Sequence, residues 1–462
     1  MKTRWLVWLV LAVFVSSATA TPVLAANGDK IVRTKSGLVG WTVINTVCGL
    51  LGCTVLGSLD TPPGQTQPSS LFLVRGLVDT VVTLLMSLLG VASVEADLPV
   101  GLKQATTSAG LPFPDGLYKR TPMTYYGTVA WEGYLDQPAG EIVGISDTHC
   151  NLWATGGSIV AVIDSGVDPN HPALKPVLTN GFDFTRNVAG GDEMADLGQA
   201  SVAVLDGVYR VNQASVAVLD QASVAVLDDQ AHAAFGHGTM VAGIVHLVAP
   251  TARIMPLKAF GANGQGYTSN ILRAIYYAMN RGAKVLNMSF SRPTSSPEIK
   301  RALDNATNQG LIAVASVGND NSASLVYPAA LSNVMGVAST SNNDTRSSFS
   351  NYGAQQVWVA APGEAIVTTY PWGSYAAGWG TSFSTPIVSG EAALLVGMRS
   401  TASYSQASWA ISKAKPLTSN LGYGRVDLFK GIQAGRGLWP TAPRSPVPDT
   451  CASSNIDWSP AP

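Results

Sequence analysis

The feature that most constrains the fold is a series of short apolar runs that starts near residue 158. The runs at 159–163, 253–257, 285–288, 311–315 and 334–337 are four or five residues long. Helical patterns, such as 269–280 and 297–308, lie between several of them. Short apolar strands alternating with helices predict a doubly wound α/β fold, with a mostly parallel sheet covered on both faces. Ligands bind such sheets beyond the carboxyl ends of the strands.

A small unit is predicted at residues 28–98, before the main domain. Strand patterns at 30–34, 53–56, 71–75 and 91–97 alternate with helical patterns at 39–50 and 78–89. The order β-α-β-β-α-β predicts a ferredoxin-like α+β fold for this unit. A stretch rich in Gly, Pro and Thr at 99–130 predicts a linker. A helix at 131–145 is expected to begin the main domain, 131–434, and six prolines in 435–462 predict an extended tail.

The amino terminus predicts export. Lys2 and Arg4 precede an apolar run at 5–15 that is too short to span a bilayer, and small residues follow it. This pattern is typical of a signal peptide, which we assign to 1–25, and it predicts a secreted protein. An uncleaved anchor is the alternative.

The four cysteines are compatible with export, because disulfides persist in oxidising compartments. Three pairings are conceivable. We favour Cys48–Cys53 and Cys150–Cys451, since each pair would then lie within one piece of a processed chain. Free thiols are the alternative.

Two further features bear on function. The chain has 28 basic and 29 acidic residues, and this balance argues against a nucleic-acid partner. Residues 199–206, 213–220 and 221–228 each read QASVAVLD. This insert is either a small recognition element or β-solenoid, or an expansion tolerated in a surface loop; three short copies favour the loop.

Three local patterns carry residues suited to catalysis. Asp164 ends an apolar run and is followed by Gly166, which permits a sharp turn. His237 lies between two glycines, before small and apolar residues typical of a closely packed helix. Ser382 follows Gly380 where a helix begins, so helix amides and dipole would favour negative charge there. Each pattern is ambiguous alone: Asp164 could be an ordinary strand end, and Ser382 could be a helix cap.

In the order Asp, His, Ser these segments together resemble the subtilases, over about residues 130–432. The resemblance implies that Ser382 is a nucleophile, His237 its general base and Asp164 the acceptor that fixes the imidazole tautomer. It also implies that Asn319, in Val317-Gly318-Asn319, donates to the oxyanion together with the backbone N–H of Ser382. Taken alone, Asn319 would be read as a turn residue.

The resemblance also implies a substrate cleft. Its predicted residues are Gly264, Gly266 and Tyr267 on one strand, Ser289, Phe290 and Ser291 on the other, and Val326 at the pocket floor. Extended substrate would pair with these edges through main-chain hydrogen bonds. Many family members have glycine where Ser291 stands, and subtilisin has glycine at the position of Val326. We therefore expect a narrow, shallow pocket that prefers small or medium side chains.

The predicted function is that of a secreted, monomeric serine endopeptidase that acts on proteins or peptides through an acyl-enzyme. The resemblance implies that it is made as a zymogen whose 28–98 unit is an inhibitory propeptide, cut off between 98 and 130. No cofactor is implied, because the stretch after His237 lacks the loop that binds calcium in many subtilisins. A calcium site elsewhere in the chain is compatible with the resemblance. The alternatives are a silent binding module with the same fold, and an acyl transferase or peptide ligase.

Overall fold

The computed structural model describes residues 28–35, 37–63, 69–88, 90–102, 114–197, 208–210, 216–219, 232–445 and 451. The predicted signal peptide and most of the repeat insert lie outside these residues. Within them, no helix combines the length and the apolar character needed to cross a bilayer.

The small unit has the predicted element order. It consists of β1 (Lys30–Thr34), α1 (Gly37–Leu51), β2 (Thr54–Ser58), β3 (Leu71–Arg75), α2 (Asp79–Leu88) and β4 (Val91–Ala96). Its four strands form an antiparallel sheet in the order β2-β3-β1-β4. The predicted Cys48–Cys53 disulfide forms and joins the end of α1 to the start of β2. Both cysteines are buried in the apolar core of this unit.

The segment between the two units is more structured than a linker. Its described part contains β5 (Pro99–Gly101), β6 (Pro122–Tyr125) and β7 (Thr128–Trp131). The single helix expected at 131–145 is instead three short helices: α3 (Glu132–Leu135), α4 (Pro138–Val143) and α5 (Ile145–Leu152). Pro138, which lacks an N–H, begins the second, and Gly144 ends it in the left-handed conformation at φ 78°.

The main domain contains the remaining elements. Its strands are β8 (Ile159–Asp164), β9 (Gly181–Asp183), β10 (Val188–Gly190), β11 (Val208–Arg210), β12 (Val216–Leu219), β13 (Arg253–Lys258), β14 (Gln265–Tyr267), β15 (Val285–Met288), β16 (Ile312–Ser316), β17 (Val334–Thr340), β18 (Val359–Pro362), β19 (Ile366–Tyr370) and β20 (Ser374–Gly378). Its helices are α6 (His237–Val248), α7 (Thr268–Asn280), α8 (Pro297–Asn308), α9 (Thr381–Met398), α10 (Tyr404–Ile411) and α11 (Leu428–Leu438).

Among the described residues, the main sheet has eight strands in the order β10-β9-β13-β8-β15-β16-β17-β18, and only β10 is antiparallel to its neighbour. Side chains alternate across it. Val160 and Val162 of β8 lie in the core that includes α6 and α9, whereas Ala161 and Ile163 lie in the core that includes α7 and α8. The sheet is therefore covered on both faces, as predicted. The strand order reverses at β8, so a crevice is expected beyond its carboxyl end.

Two peripheral features complete the domain. The middle QASVAVLD copy supplies β12, which pairs with β20 in a small antiparallel sheet. Helix α11 runs to Leu438, so the segment predicted as an extended tail begins with helical residues. Beyond it, the Ser445 N–H donates to the carbonyl of Trp153 at 2.9 Å, and the predicted Cys150–Cys451 disulfide forms.

Candidate active site

Asp164 is the last residue of β8 and is fully buried at the carboxyl edge of the sheet. Its Oδ1 accepts a hydrogen bond from the Ser165 N–H at 2.7 Å and another from His237 Nδ1 at 2.7 Å. A carboxylate acceptor leaves Nδ1 as the donor, so Nε2 is the nitrogen that can accept a proton. Asp164 thus fixes both the orientation and the tautomer of the imidazole.

His237 opens α6, which approaches the end of β8 very closely. A Cβ on Gly238 would lie 2.0 Å from the Gly166 carbonyl oxygen, so only glycine permits this approach. Burial lowers the pKa of His237, but the charge of Asp164, the hydrogen bond to it and the charge of Glu193 outweigh burial. The pKa of His237 is therefore raised above its ordinary value. The imidazole is stabilised in its protonated form, as a general base requires after it has taken a proton.

Ser382 lies in the first turn of α9, and the Phe383 ring that follows it lies 5.8 Å from the His237 ring between centroids. The Ser382 hydroxyl donates to the Ser289 carbonyl at 3.1 Å. In return, the Ser289 hydroxyl donates to the Ser382 carbonyl at 2.9 Å. Pro386 makes this second bond available, because it has no N–H to occupy the carbonyl four residues before it. The pair of bonds fastens the helix start to the end of β15.

Asn319 follows β16 and faces the same helix start. Its Oδ1 accepts from both the N–H and the hydroxyl of Thr381, each at 2.9 Å. This orients the amide so that Nδ2 lies 3.4 Å from the position of a Cβ on Gly380. The Ser382 N–H is in the first turn of α9, where backbone N–H groups have no helical acceptor. Two donors of the kind an oxyanion needs, Asn319 Nδ2 and the Ser382 N–H, are therefore both found at the helix start.

A hydrogen bond links the residues that follow the two predicted cleft segments. Arg292, just after Ser291, donates from Nη1 to the hydroxyl of Thr268, which follows Tyr267, at 2.9 Å. The Phe290 ring packs 5.2 Å from Phe260 between centroids.

One of these strands is already paired. β14, which holds Gly266 and Tyr267, pairs antiparallel with β5, and the Leu102 N–H donates to the Gly264 carbonyl at 2.8 Å. The segment just after the small unit therefore occupies this edge.

The predicted pocket residues lie on adjacent segments, because Arg292 and Tyr327, which follow Ser291 and Val326, form an antiparallel bridge. The Ser291 hydroxyl lies 3.1 Å from the position of a Cβ on Gly318. Val326 is buried, and its N–H donates to Gln356 Oε1 at 3.0 Å.

Sequence reasoning missed a polar group behind the Asp164–His237 pair. The Lys258 ammonium is fully buried and donates to the carbonyls of Ser165 and Phe260 at 2.6 and 2.8 Å. Glu193 is also fully buried, and burial raises its pKa to about 7. The apolar run up to Lys258 could have suggested that this lysine is buried beside Asp164. No local pattern marks Glu193, which lies in a loop 44 residues before His237 in the sequence.

In the described part of the chain, no group of three or more His, Cys, Asp or Glu side chains is arranged to hold a metal ion.

Comparison with known proteins gives concordant matches. The model of the subtilase family matches residues 155–429, more than half of this chain. Thermitase from Thermoactinomyces vulgaris is 33% identical over 291 residues, which cover 60% of this chain and 89% of thermitase. A thermophilic serine proteinase from Bacillus sp. (strain AK1) is 31% identical over 318 residues, or 67% of this chain and 71% of the relative. Subtilisin BL from Lederbergia lenta is 40% identical over 169 residues; this match spans 35% of the chain and 62% of the relative, less than two thirds of its length.

Proposed function

Because the chain belongs to the subtilase family and is a subtilisin-like serine endopeptidase, we propose that it hydrolyses peptide bonds with Ser382 as nucleophile, His237 as general base and Asp164 as the group that orients the imidazole. The observation that carries this proposal is the buried 2.7 Å hydrogen bond between His237 and Asp164, made beside the helix start that holds Ser382. Substrates are proteins or peptides, and no step needs a cofactor.

The mechanism follows from the placement of donors and acceptors. As substrate enters, the Ser382 hydroxyl turns from Ser289 to His237 Nε2, which takes its proton as Oγ attacks the peptide carbonyl carbon. Asp164 stabilises the imidazolium, while the Ser382 N–H and Asn319 Nδ2 donate to the oxyanion. His237 then protonates the leaving amine, and an ester to Ser382 remains. Attack by water, with His237 again as base, releases the acid and restores the serine.

We also propose that the small unit at 28–98 is an inhibitory propeptide. Three contacts support this. β5 and Leu102 occupy the β14 edge, where extended substrate would pair. The Asp97 carboxylate accepts from the N–H and hydroxyl of Ser269 at 2.8 and 2.7 Å, at the start of α7. Arg33 forms an ion pair with Glu298 of α8, with the nitrogen and oxygen 2.7 Å apart. Cleavage after Leu102 would convert this arrangement into a dissociable complex.

Export is part of the proposal. Both disulfides, Cys48–Cys53 and Cys150–Cys451, are of the kind that persists outside the cytosol. The proposed signal peptide, 1–25, lies outside the described residues.

The decisive experiment compares wild type with Ser382→Ala on casein, with and without phenylmethylsulfonyl fluoride. We expect Ser382→Ala to cleave casein at least about 10,000-fold more slowly than the wild type. We expect phenylmethylsulfonyl fluoride to inhibit the wild type alone. Ser384→Ala is the matched control, because Ser384 is a buried serine one half-turn further along α9 whose hydroxyl has no hydrogen-bond partner among the described residues. Equal cleavage by wild type and Ser382→Ala would overturn the assignment.

A further inference from the structure

A second buried carboxylate lies behind the Asp164–His237 pair. Glu193 follows β10 and is fully buried. Its Oε1 accepts from the Ser165 hydroxyl at 2.5 Å and from the Gly236 N–H at 2.8 Å. Its Oε2 accepts from the Thr239 hydroxyl at 2.6 Å. All three partners lie within two residues of Asp164 or His237.

Ser165 extends this contact to a third backbone position. Its hydroxyl accepts from the Gly238 N–H at 2.9 Å while it donates to Glu193. Its own N–H donates to Asp164 Oδ1, the oxygen that also binds His237. One carboxylate thus ties the end of β8 to the residues on both sides of His237.

The start of α6 needs such an acceptor from elsewhere. The cap residue, Gly236, has no side chain to accept from the free N–H groups of the first turn. The Ser165 hydroxyl accepts from the Gly238 N–H of that turn, and Glu193 accepts from the Gly236 N–H just before it. The charge of Glu193, which lies in a distant loop, also complements the positive end of the helix dipole. The position of His237 therefore depends on a residue outside its own segment.

The charge of Glu193 contributes to the raised pKa of the His237 imidazole. The charged and titratable groups around Glu193 include Asp164 of β8, Lys258 of β13, which also forms an ion pair with Asp196, Tyr370 of β19 and His237 itself. Burial raises the pKa of Glu193 to about 7, opposed by the bonds from Ser165 and Thr239 and by the charge of Lys258. The carboxylate accepts three hydrogen bonds, from the Ser165 and Thr239 hydroxyls and the Gly236 N–H, which suits its ionised, acceptor-only form.

We propose that Glu193 is a positioning residue for catalysis: it holds Asp164 and His237 in the positions that their mutual hydrogen bond requires, and its negative charge favours the protonated imidazole. The inference rests on the proposed triad. It matters for rate because proton transfer from Ser382 depends on imidazole placement, and a displacement of about 1 Å can reduce turnover by a factor on the order of 100.

The test is Glu193→Gln in the full chain, matured with a trace of wild-type enzyme and calibrated by titration with phenylmethylsulfonyl fluoride. The amide keeps the size of the side chain but removes the charge and turns an NH2 towards groups that are themselves donors. With a soluble peptide p-nitroanilide, we expect kcat per titrated site to fall about 10- to 100-fold with KM little changed.

The pH profile separates positioning from simple destabilisation. The acid limb of kcat/KM reports the pKa of His237 in the free enzyme. Above its own pKa of about 7, Glu193 is an anion that raises the pKa of His237, so the acid limb should move to lower pH in Glu193→Gln. Glu391→Gln, which replaces a buried carboxyl that is neutral in the folded protein and remote from His237 in the sequence, should leave kcat and the limb unchanged.

An unchanged kcat and acid limb in Glu193→Gln would overturn this inference while leaving an active wild type, and hence the triad, intact. Cleavage by Ser382→Ala at the wild-type rate would overturn the triad instead. If Glu193→Gln does not accumulate as folded enzyme, Ser165→Ala gives the test. It removes the link to Gly238 without removing charge, so kcat should fall while the acid limb stays in place. Wild-type kcat in Ser165→Ala would then refute the positioning role.

Discussion

At the scale of single residues, Glu391 is the least expected side chain in the core. It lies on α9, is fully buried, and neither carboxylate oxygen has a hydrogen-bond partner within the described residues. A Cβ on Gly431 of α11 would lie 1.9 Å from Oε1, so the neighbouring helix leaves no room for a larger residue. Burial, with a smaller contribution from the charge of Asp427, raises the pKa of Glu391 well above its usual range. The folded protein therefore holds this carboxyl in its neutral form.

This predicts a loss of stability as pH rises. From about pH 4.5, where the carboxyl ionises in the unfolded chain, up to its raised folded pKa, the folded state binds a proton that the unfolded state releases. The free energy of unfolding should therefore fall by about 1.4 kcal/mol per pH unit in that window, and Glu391→Gln should remove the decline. Urea unfolding of inhibitor-inactivated enzyme between pH 5 and 9 measures it. Glu364→Gln, at a partly exposed carboxylate, is the control; parallel pH profiles for wild type and Glu391→Gln would contradict the prediction.

The proposed specificity pocket depends on two side chains. The Ser291 hydroxyl faces Gly318, with 3.1 Å between it and a Cβ position there, and Val326 occupies the proposed floor. We predict that a peptide library shows small or medium residues on the acyl side of the cut. Ser291→Gly combined with Val326→Gly should raise kcat/KM for a phenylalanine substrate roughly 10-fold or more relative to an alanine one. A wild-type profile dominated by Phe and Tyr would refute this pocket.

At the scale of elements, two helices of the main domain start against carboxylates of the small unit. Asp97 binds the start of α7 through Ser269, and Glu95 Oε2 accepts from the Glu298 N–H of α8 at 3.2 Å. Anionic acceptors at helix amino termini satisfy free N–H groups and complement the dipole. These contacts join the two units through backbone groups of α7 and α8, in addition to the strand pairing.

Asp97→Ala should therefore weaken retention of the small unit after cleavage. Loss of one capping carboxylate removes about 1 to 2 kcal/mol, which corresponds to roughly 10-fold weaker binding. The expected result is a shorter lag before activity appears when equal amounts of zymogen mature. Asp79→Ala, at a highly exposed carboxylate of the same unit, should keep the wild-type lag. A wild-type lag in Asp97→Ala would show that the cap does not contribute to inhibition.

The elements predicted most successfully from sequence are the strands that are buried on both faces of the sheet. All five apolar runs became strands β8, β13, β15, β16 and β17, because a central parallel strand needs apolar residues on both faces. The prediction of one helix at 131–145 was wrong for a local reason: it did not take into account that Pro138 begins a new helix and Gly144 ends it. The pairing of β5 with β14 joins segments more than 160 residues apart, and no short-range pattern encodes it.

At the scale of the whole molecule, the path of the chain limits where maturation can occur. Residues 99–102 are paired with the β14 edge, so we expect the proposed cut to lie beyond them. From Asp115 the chain belongs to the main domain: Leu117 is fully buried, and a Cβ on Gly116 would lie 2.9 Å from the Gly133 carbonyl oxygen. Amino-terminal sequencing of the mature enzyme should therefore begin within 103–115, a narrower window than the 98–130 expected from sequence. A start beyond Leu117, or the small unit still covalently attached to fully active enzyme, would contradict the proposed processing.

The layered α/β fold could be predicted from the sequence because strand periodicity and helix starts are local properties of a chain. The resemblance of three segments to the subtilases is what made Asp164, His237, Ser382 and Asn319 candidates, since each of these residues alone has an ambiguous pattern. Only the tertiary structure showed that Asp164 and His237 share a hydrogen bond and that residues 99–102 cover the β14 edge. Only it brought Glu193 behind His237. These depend on contacts between distant segments, which form when the sheet closes and buries polar groups that must then find partners.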